Sequence, residues 1–194
     1  MSVLCIILAR AGSKGLPDKN VLEVHHRPMI QWTVCHARDA QRRGVVDHVL
    51  VSTDGKEIAH AAHLAGAEVL IRPADLAHDT ATVASAARHA AAHFDIDHPA
   101  SYIRHVVVLY GNVPVRPHDL IDRAVTRLRQ TGCDSVQSLC PVGKHHPYWM
   151  KTLGGPDGDV IEPFIENTID RRQDLPAVYQ LDGGIIAVRR ELLN

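Results

Sequence analysis

Short unbroken apolar runs alternate with stretches of helical periodicity along most of this chain, and few folds accept that alternation. Val3–Leu8 is continuously apolar and is followed by a glycine-containing loop, the pattern of a strand buried on both faces. Pro28 to about Arg42 reads as a helix, with Met29, Ile30, Thr33, Val34 and Ala37 on one face. Further strands are expected at His48–Val51, Glu68–Ile71, Val106–Tyr110, Ser135–Leu139 and Gly184–Val188. Between them, Ile58, Ala61, Ala62 and Ala65 mark one helix, closed by Gly66. Val83, Ala86, Ala87 and Ala90 mark a second, and Leu120, Ile121, Ala124 and Leu128 mark a third that begins near Pro117. Ser52, Thr53 or Asp54 can cap the first of these, and Asp79 is read as the cap of the second. Alternating strands and helices imply an α/β fold with a Rossmann-like, doubly wound, mostly parallel sheet. From about Pro141 to Gln180 the rhythm breaks, and Pro, Gly, His and charged residues dominate. That stretch is read as an insertion carrying irregular strands within a single domain of residues 1–194.

Charge and composition narrow the partners. The chain has 194 residues with 21 Lys+Arg against 22 Asp+Glu. Such a balance argues against a general nucleic-acid binder, which must neutralise many phosphates, and leaves room for one small anionic ligand. No apolar run approaches the length needed to cross a bilayer, so no membrane is expected. No charged segment precedes the first apolar run, so it is not read as a signal peptide. Cys5, Cys35, Cys133 and Cys140 show no CxxC spacing, which favours reduced thiols and a cytoplasmic protein.

The strongest local signal is the loop after the first strand, Leu8-Ala9-Arg10-Ala11-Gly12-Ser13-Lys14-Gly15-Leu16-Pro17-Asp18-Lys19-Asn20. In open α/β sheets ligands sit beyond the carboxyl ends of the strands, where this loop emerges. Gly12 and Gly15 permit positive φ and close backbone approach, and Arg10, Lys14 and Lys19 supply convergent cations. Free amides with convergent cations suit a polyphosphate. The loop is neither GxxxxGK[ST] nor GxGxxG, which sets aside a P-loop and disfavours a dinucleotide dehydrogenase.

The sequence LARAGSKGLPDKN resembles the nucleotide-binding signature of the acylneuraminate (CMP-sialic acid synthetase-like) cytidylyltransferases and the related 3-deoxy-manno-octulosonate enzymes. The likeness continues through Val51–Thr82, Val107–Arg116, His145–Leu153 and Arg171–Val188. It implies the nucleotide-diphospho-sugar transferase type of fold, with the insertion at about 141–180 serving as a small dimerisation element and sugar-side segment. It implies transfer of CMP from CTP to the anomeric hydroxyl of an acidic keto sugar, with release of pyrophosphate and with Mg2+ as cofactor. Arg10 and Lys19 match the family's triphosphate-binding, catalytic cations. Ala9, Ala11, Gly12, Ser13, Lys14 and Asn20 match nucleotide contacts of the same loop, though Asn20 could also serve as a turn cap and Lys14 could face solvent. Arg72, Thr80 and Ala81 match the base-recognition block. Tyr110, Asn112, Lys151, Arg171, Arg172 and Asp182 are the sugar-side candidates. The partners implied are CTP, an acidic sugar and a second copy of the chain, as a homodimer or dimer of dimers.

Departures from the family pattern matter as well. In LYGNVPVR (Leu109–Arg116), Asn112 stands where relatives carry a metal-binding Asp, and a neutral amide is the weaker ligand for a hard cation. Tyr110 and Asp182 also differ from the sialic acid pattern. Adjacent His145 and His146 diverge and make no metal site by themselves. Family members continue past the last strand into an IDxxxD-like segment that helps hold Mg2+. The chain given ends at Asn194, just after Leu192 and Leu193 in an expected helix, so that C-terminal part is expected to be missing from it. The readings are a cytidylyltransferase for a sialic acid-like nonulosonate, an octulosonate-type or other sugar nucleotidyltransferase with altered specificity, and a non-catalytic nucleotide-binding relative.

Overall fold

A computed structural model of the chain describes residues 2–12, 15–78 and 80–194. Strand β1 (Ser2–Leu8) is buried from Val3 onward, and its side chains divide between two cores. Val3, Cys5 and Ile7 join one hydrophobic cluster, while Leu4, Ile6 and Leu8 join the other. That period-two division is why the run is apolar without a polar face. Burial pushes the Cys5 thiol up to about 12, against a smaller opposing pull from Arg116.

After β1 come the two-residue strands β2 (Glu23–Val24) and β3 (Arg27–Pro28), then α1 (Met29–Arg42), β4 (His48–Thr53), α2 (Lys56–Leu64), β5 (Glu68–Ile71), α3 (Val83–Asp97), β6 (Ile103–Tyr110) and α4 (Leu120–Thr131). The chain closes with β7 (Ser135–Pro141), β8 (Lys151–Gly154), β9 (Val160–Pro163) and β10 (Tyr179–Arg189). The main sheet has the order β5-β4-β1-β6-β10-β7. Pairing is parallel for β1 with β4, β1 with β6, and β4 with β5; β10 runs antiparallel to β6. Helices α1, α2 and α4 cover one face through Ile30, Val34, Ile58, Ala62, Ile121 and Leu128. Helix α3 covers the other through Ala86, Ala87, Ala90, Ala91 and Phe94. The mostly parallel, Rossmann-like α/β class is therefore the fold observed.

The order also locates a crevice. From β1 the chain winds outward through β4 to β5, then returns to place β6 on the other side of β1. Right-handed crossovers put α3 opposite to α1 and α2 and open a gap beyond the carboxyl ends of β1 and β6.

Several local expectations change. No side chain caps α2: Thr53 Oγ1 accepts instead from the Gly55 amide at 3.1 Å, and Asp54 is used elsewhere. The cap of α3 is Thr82, whose hydroxyl accepts from the Ser85 amide at 3.0 Å; Asp79 lies outside the described residues. The last strand starts at Tyr179, five residues earlier than the apolar run suggests. Its early portion is exposed and so lacks the apolar signature. Arg190–Leu193 forms a short 3-10 turn in place of the expected helix. Pro117 precedes α4 by one turn, its carbonyl accepting from the Leu120 amide.

Contacts divide the chain into two compact units, residues 2–138 with 183–194, and residues 139–182. The second contains the antiparallel pair β8 and β9. Inside it His146 is buried, with Nε2 3.1 Å from the Pro176 carbonyl and Nδ1 accepting from the Tyr148 amide. Both ring nitrogens thus serve the local fold. Among the described residues no helix is long and apolar enough to cross a membrane.

Candidate active site

A cavity of about 430 Å³ opens at the carboxyl rim of the first unit, within the range of small-ligand sites. Leu8 and Tyr110, which pair at the ends of β1 and β6, form its floor. Arg10, Gly15, Lys19 and Asn20 come from the loop after β1, and Asn112 from the loop after β6. Arg72, Leu76 and His78 follow β5, and Ala81, Thr82, Val83 and Ala86 belong to the entry and first turn of α3.

The β1 loop is fixed rather than loose in the part described. The Ala9 amide donates to the Ser52 carbonyl at 3.2 Å. The Ala11 amide donates to Asp54 Oδ1 at 2.9 Å, and Asn20 Nδ2 donates to the Arg10 carbonyl at 2.9 Å. The amides of Ala9 and Ala11 are therefore committed to β4 and the turn after it, and are not the free phosphate donors that a glycine-containing loop suggests. Ala9, Ala11 and Gly12 do not line the cavity, and Ser13 and Lys14 lie outside the described residues. Asn20 is 5% exposed and its Oδ1 is buried with no partner among the described residues. Gly111 makes room for this arrangement. A Cβ there would lie 2.8 Å from Ala9 Cβ and Ile30 Cδ1, and 3.1 Å from Asn20 Oδ1.

Arg72 lines the cavity but is also a clamp. It donates through Nε to Ser52 Oγ at 3.2 Å, through Nη2 to the Ser52 carbonyl at 2.6 Å, and through Nη1 to the Leu76 carbonyl at 3.3 Å. Burial holds its pKa below the ordinary guanidinium value; the charge of Asp54 acts the other way, and that of Arg10 adds to the lowering. Thr80 does not line the cavity; its hydroxyl sits 2.8 Å from His78 Nδ1. His78 lies within the Val51–Thr82 stretch of the resemblance, whose turn at 77–82 matches the base-recognition block, and it lines the cavity. Thr82 closes the same turn and also lines the cavity, and a Thr three residues before a Ser at a helix start is a readable capping signal.

The sugar-side candidates fall into two groups. Tyr110 and Asn112 border the cavity. Lys151, Arg171, Arg172 and Asp182 belong to the second unit. There Arg171 Nε donates to Asp174 Oδ2 at 2.6 Å, so one of its faces is used locally.

No carboxylate of the described residues lines the cavity, and none of them form a group of three or more His, Cys, Asp or Glu side chains able to hold a metal. Asn112 offers a neutral oxygen where Mg2+ prefers carboxylates and phosphates. The described residues do not fit a protein-held magnesium.

Two cations of the β1 loop, the buried Asn20 side chain and the turn before α3 thus border one crevice at a topological switch point. The family model for cytidylyltransferases matches residues 4–192. The chain belongs to the cytidylyltransferase family. It is a nucleotidyltransferase. Among its relatives, the CMP-N,N'-diacetyllegionaminic acid synthase of Legionella pneumophila is 30% identical, over all of this chain and 81% of that protein. The flagellin modification protein B of Campylobacter coli is 29% identical over 98% of this chain and 79% of its own. An N-acylneuraminate cytidylyltransferase of Streptococcus agalactiae is 31% identical over 98% of this chain and 44% of that protein. In structure, a CMP-2-keto-3-deoxy-manno-octonic acid synthetase solved with CTP matches all of the chain and 76% of its own, at TM-score 0.68 and 19% identity. That last likeness speaks for the fold.

Proposed function

We propose that this cytidylyltransferase couples CTP to a sialic acid-like nonulosonate, giving the CMP-sugar and pyrophosphate. The observation that carries the reading is the cavity at the β1–β6 switch point, with Arg10, Lys19 and Arg72 around one space. The oxygen of the sugar's anomeric hydroxyl attacks the α-phosphorus and releases its proton to solvent, the bond from that phosphorus to the α–β bridging oxygen breaks, and pyrophosphate leaves with the electron pair. Arg10 and Lys19 neutralise the charge developing on the phosphates, and the bonds from Asp54 and Asn20 hold the backbone beside Arg10 in place beforehand. Ala81 and the turn before α3 present backbone groups to the cytosine edge, and Tyr110 and Asn112 meet the sugar. Magnesium is proposed to arrive on the nucleotide's own phosphates.

A pyrophosphate-release assay with CTP and a panel of nonulosonic and octulosonic acids tests the reading. Release with nonulosonic acids, and a loss of roughly 100-fold or more in kcat/KM for Arg10→Ala or Lys19→Ala, are expected. Activity with octulosonic acids only would replace the sugar assignment. Silence with every sugar would overturn the reaction.

The second unit supports self-association. Leu153, Ile161, Phe164 and Leu181 are each more than half exposed there, and exposed apolar clusters of this kind mark interfaces. We propose a homodimer formed through this unit. Light scattering is expected to give twice the chain mass, and a monomer at micromolar concentration would refute it.

A further inference from the structure

We propose that Asp54 is a positioning residue for nucleotide binding: with Asn20 it clamps the Arg10–Ala11 peptide plane and so sets where the Arg10 cation stands. The inference rests on the reading of the β1 loop as the triphosphate site, and it names a residue that neither the loop motif nor the cavity lining includes.

The clamp acts on one peptide group. The Arg10 carbonyl and the Ala11 amide are the two polar ends of a single planar unit. Asn20 Nδ2 donates to the carbonyl at 2.9 Å, and Asp54 Oδ1 accepts from the amide at 2.9 Å. Held at both ends, that plane cannot rotate about the chain axis, so ψ of Arg10 and φ of Ala11 are fixed. The preceding amide, of Ala9, is tied to the Ser52 carbonyl. The backbone is therefore fastened on both sides of Arg10, and its side chain leaves in a set direction toward the cavity it lines.

The anchor itself is firm. Thr53 is fully buried, its hydroxyl accepts from the Gly55 amide at 3.1 Å, and its carbonyl accepts from the Arg72 amide at 2.7 Å. Gly55 permits the approach: a Cβ there would lie 3.1 Å from both Ala11 Cβ and Ile58 Cδ1. A carboxylate is the stronger acceptor for an amide, and its charge is felt by Arg72. Its negative charge would repel an incoming phosphate if it faced the ligand. As Asp54 does not line the cavity, it acts through the loop rather than by touch.

The test compares Asp54→Ala and Asp54→Asn in the full chain. Isothermal calorimetry with CTP needs neither sugar nor turnover. Asp54→Ala is expected to weaken CTP binding at least 10-fold with little change in melting temperature, and Asp54→Asn, which retains an acceptor, to recover at least half of that loss on a logarithmic scale. In the Arg10→Ala background the Asp54→Ala effect is expected to shrink to less than 3-fold, since there is no cation left to position. Wild-type affinity in Asp54→Ala, or full additivity of the two substitutions, would overturn the proposal. Failure of the wild type to release pyrophosphate would count against the reaction alone, because binding still reads the loop. A wild type that binds no CTP would take the nucleotide reading and this inference down together.

Discussion

Arg116 is 6% exposed, and its guanidinium donates to backbone and hydroxyl oxygens. It donates to the carbonyls of Gly184 at 2.8 Å, Val113 at 2.6 Å and Tyr110 at 2.8 Å, and to Thr33 Oγ1 at 3.0 Å. The loop carrying Asn112 is thereby tied to β10 and α1. A lysine ammonium is a compact donor and cannot span that planar fork. Arg116→Lys is expected to lower stability by about 3 kcal/mol or more, as several buried acceptors lose a partner at roughly 1 kcal/mol or more each. Urea titration checks this, and an unchanged midpoint would refute it. The residue itself was legible as part of the block from Leu109 to Arg116; its role was not, because the oxygens it serves come from three separate stretches of chain. The same holds in the cavity. Arg10, Lys19, Asn20 and Arg72 were readable from the loop pattern and the resemblance, whereas the partners that hold Asn20 and Arg72 in place depend on tertiary approach.

At the level of elements, the strands buried on both faces were the most legible, because burial leaves its mark as an unbroken apolar run. β1 and β6 differ from their apolar runs only by added residues at their starts. β5, an edge strand with exposed ends, agrees with Glu68–Ile71 at both ends because its residues after Glu68 are apolar all the same, two of them β-branched. Strands, or parts of strands, exposed along most of their length left a weaker mark. The early part of β10 is exposed from Tyr179 to Asp182, and β8 and β9 are exposed nearly throughout. Helix faces were readable through small residues: Ala86, Ala87, Ala90 and Ala91 let α3 lie close on the sheet. Helix starts were less so. Asp54 and Asp79 both fit a capping position by type, yet α2 begins with no side-chain cap and α3 is capped by Thr82. In the case of Asp54 the competing demand is visible: the carboxylate that a helix start would accept is taken by the Ala11 amide. A residue that satisfies a functional loop is unavailable to satisfy its own helix, which is why a local rule fails next to the site.

Across the whole molecule, histidine ties stability to pH. Burial holds His36, His89 and His105 below the ordinary imidazole value; neighbouring positive groups add to the lowering, and at His36 the Pro114 carbonyl opposes it. Nδ1 of His89 and of His105 is buried without a partner among the described residues, so protonation there would place an N–H against no acceptor. The folded chain thus binds fewer protons than the unfolded chain once pH falls below about 6.5, the unfolded imidazole value. Stability then decreases with falling pH until the folded values are passed, and is unaffected by these groups above about 7.5. A second decline belongs to acid. Asp122 is held below its ordinary value first by its hydrogen bond to Arg43, whose Nε and Nη2 lie 2.9 Å and 2.5 Å from its oxygens. The stability from that pair is complete above about 4.8 and is lost only as pH falls through the folded carboxyl value. Thermal melts from pH 8 to 3 are expected to show a plateau, a first fall between about pH 7 and 5, and a steeper one below 4. Replacing His105 by Gln removes one titrating group and is expected to flatten the first fall; an unchanged slope in that variant, or a melting temperature that rises from pH 7 to 5.5, would show that imidazole burial does not govern this window.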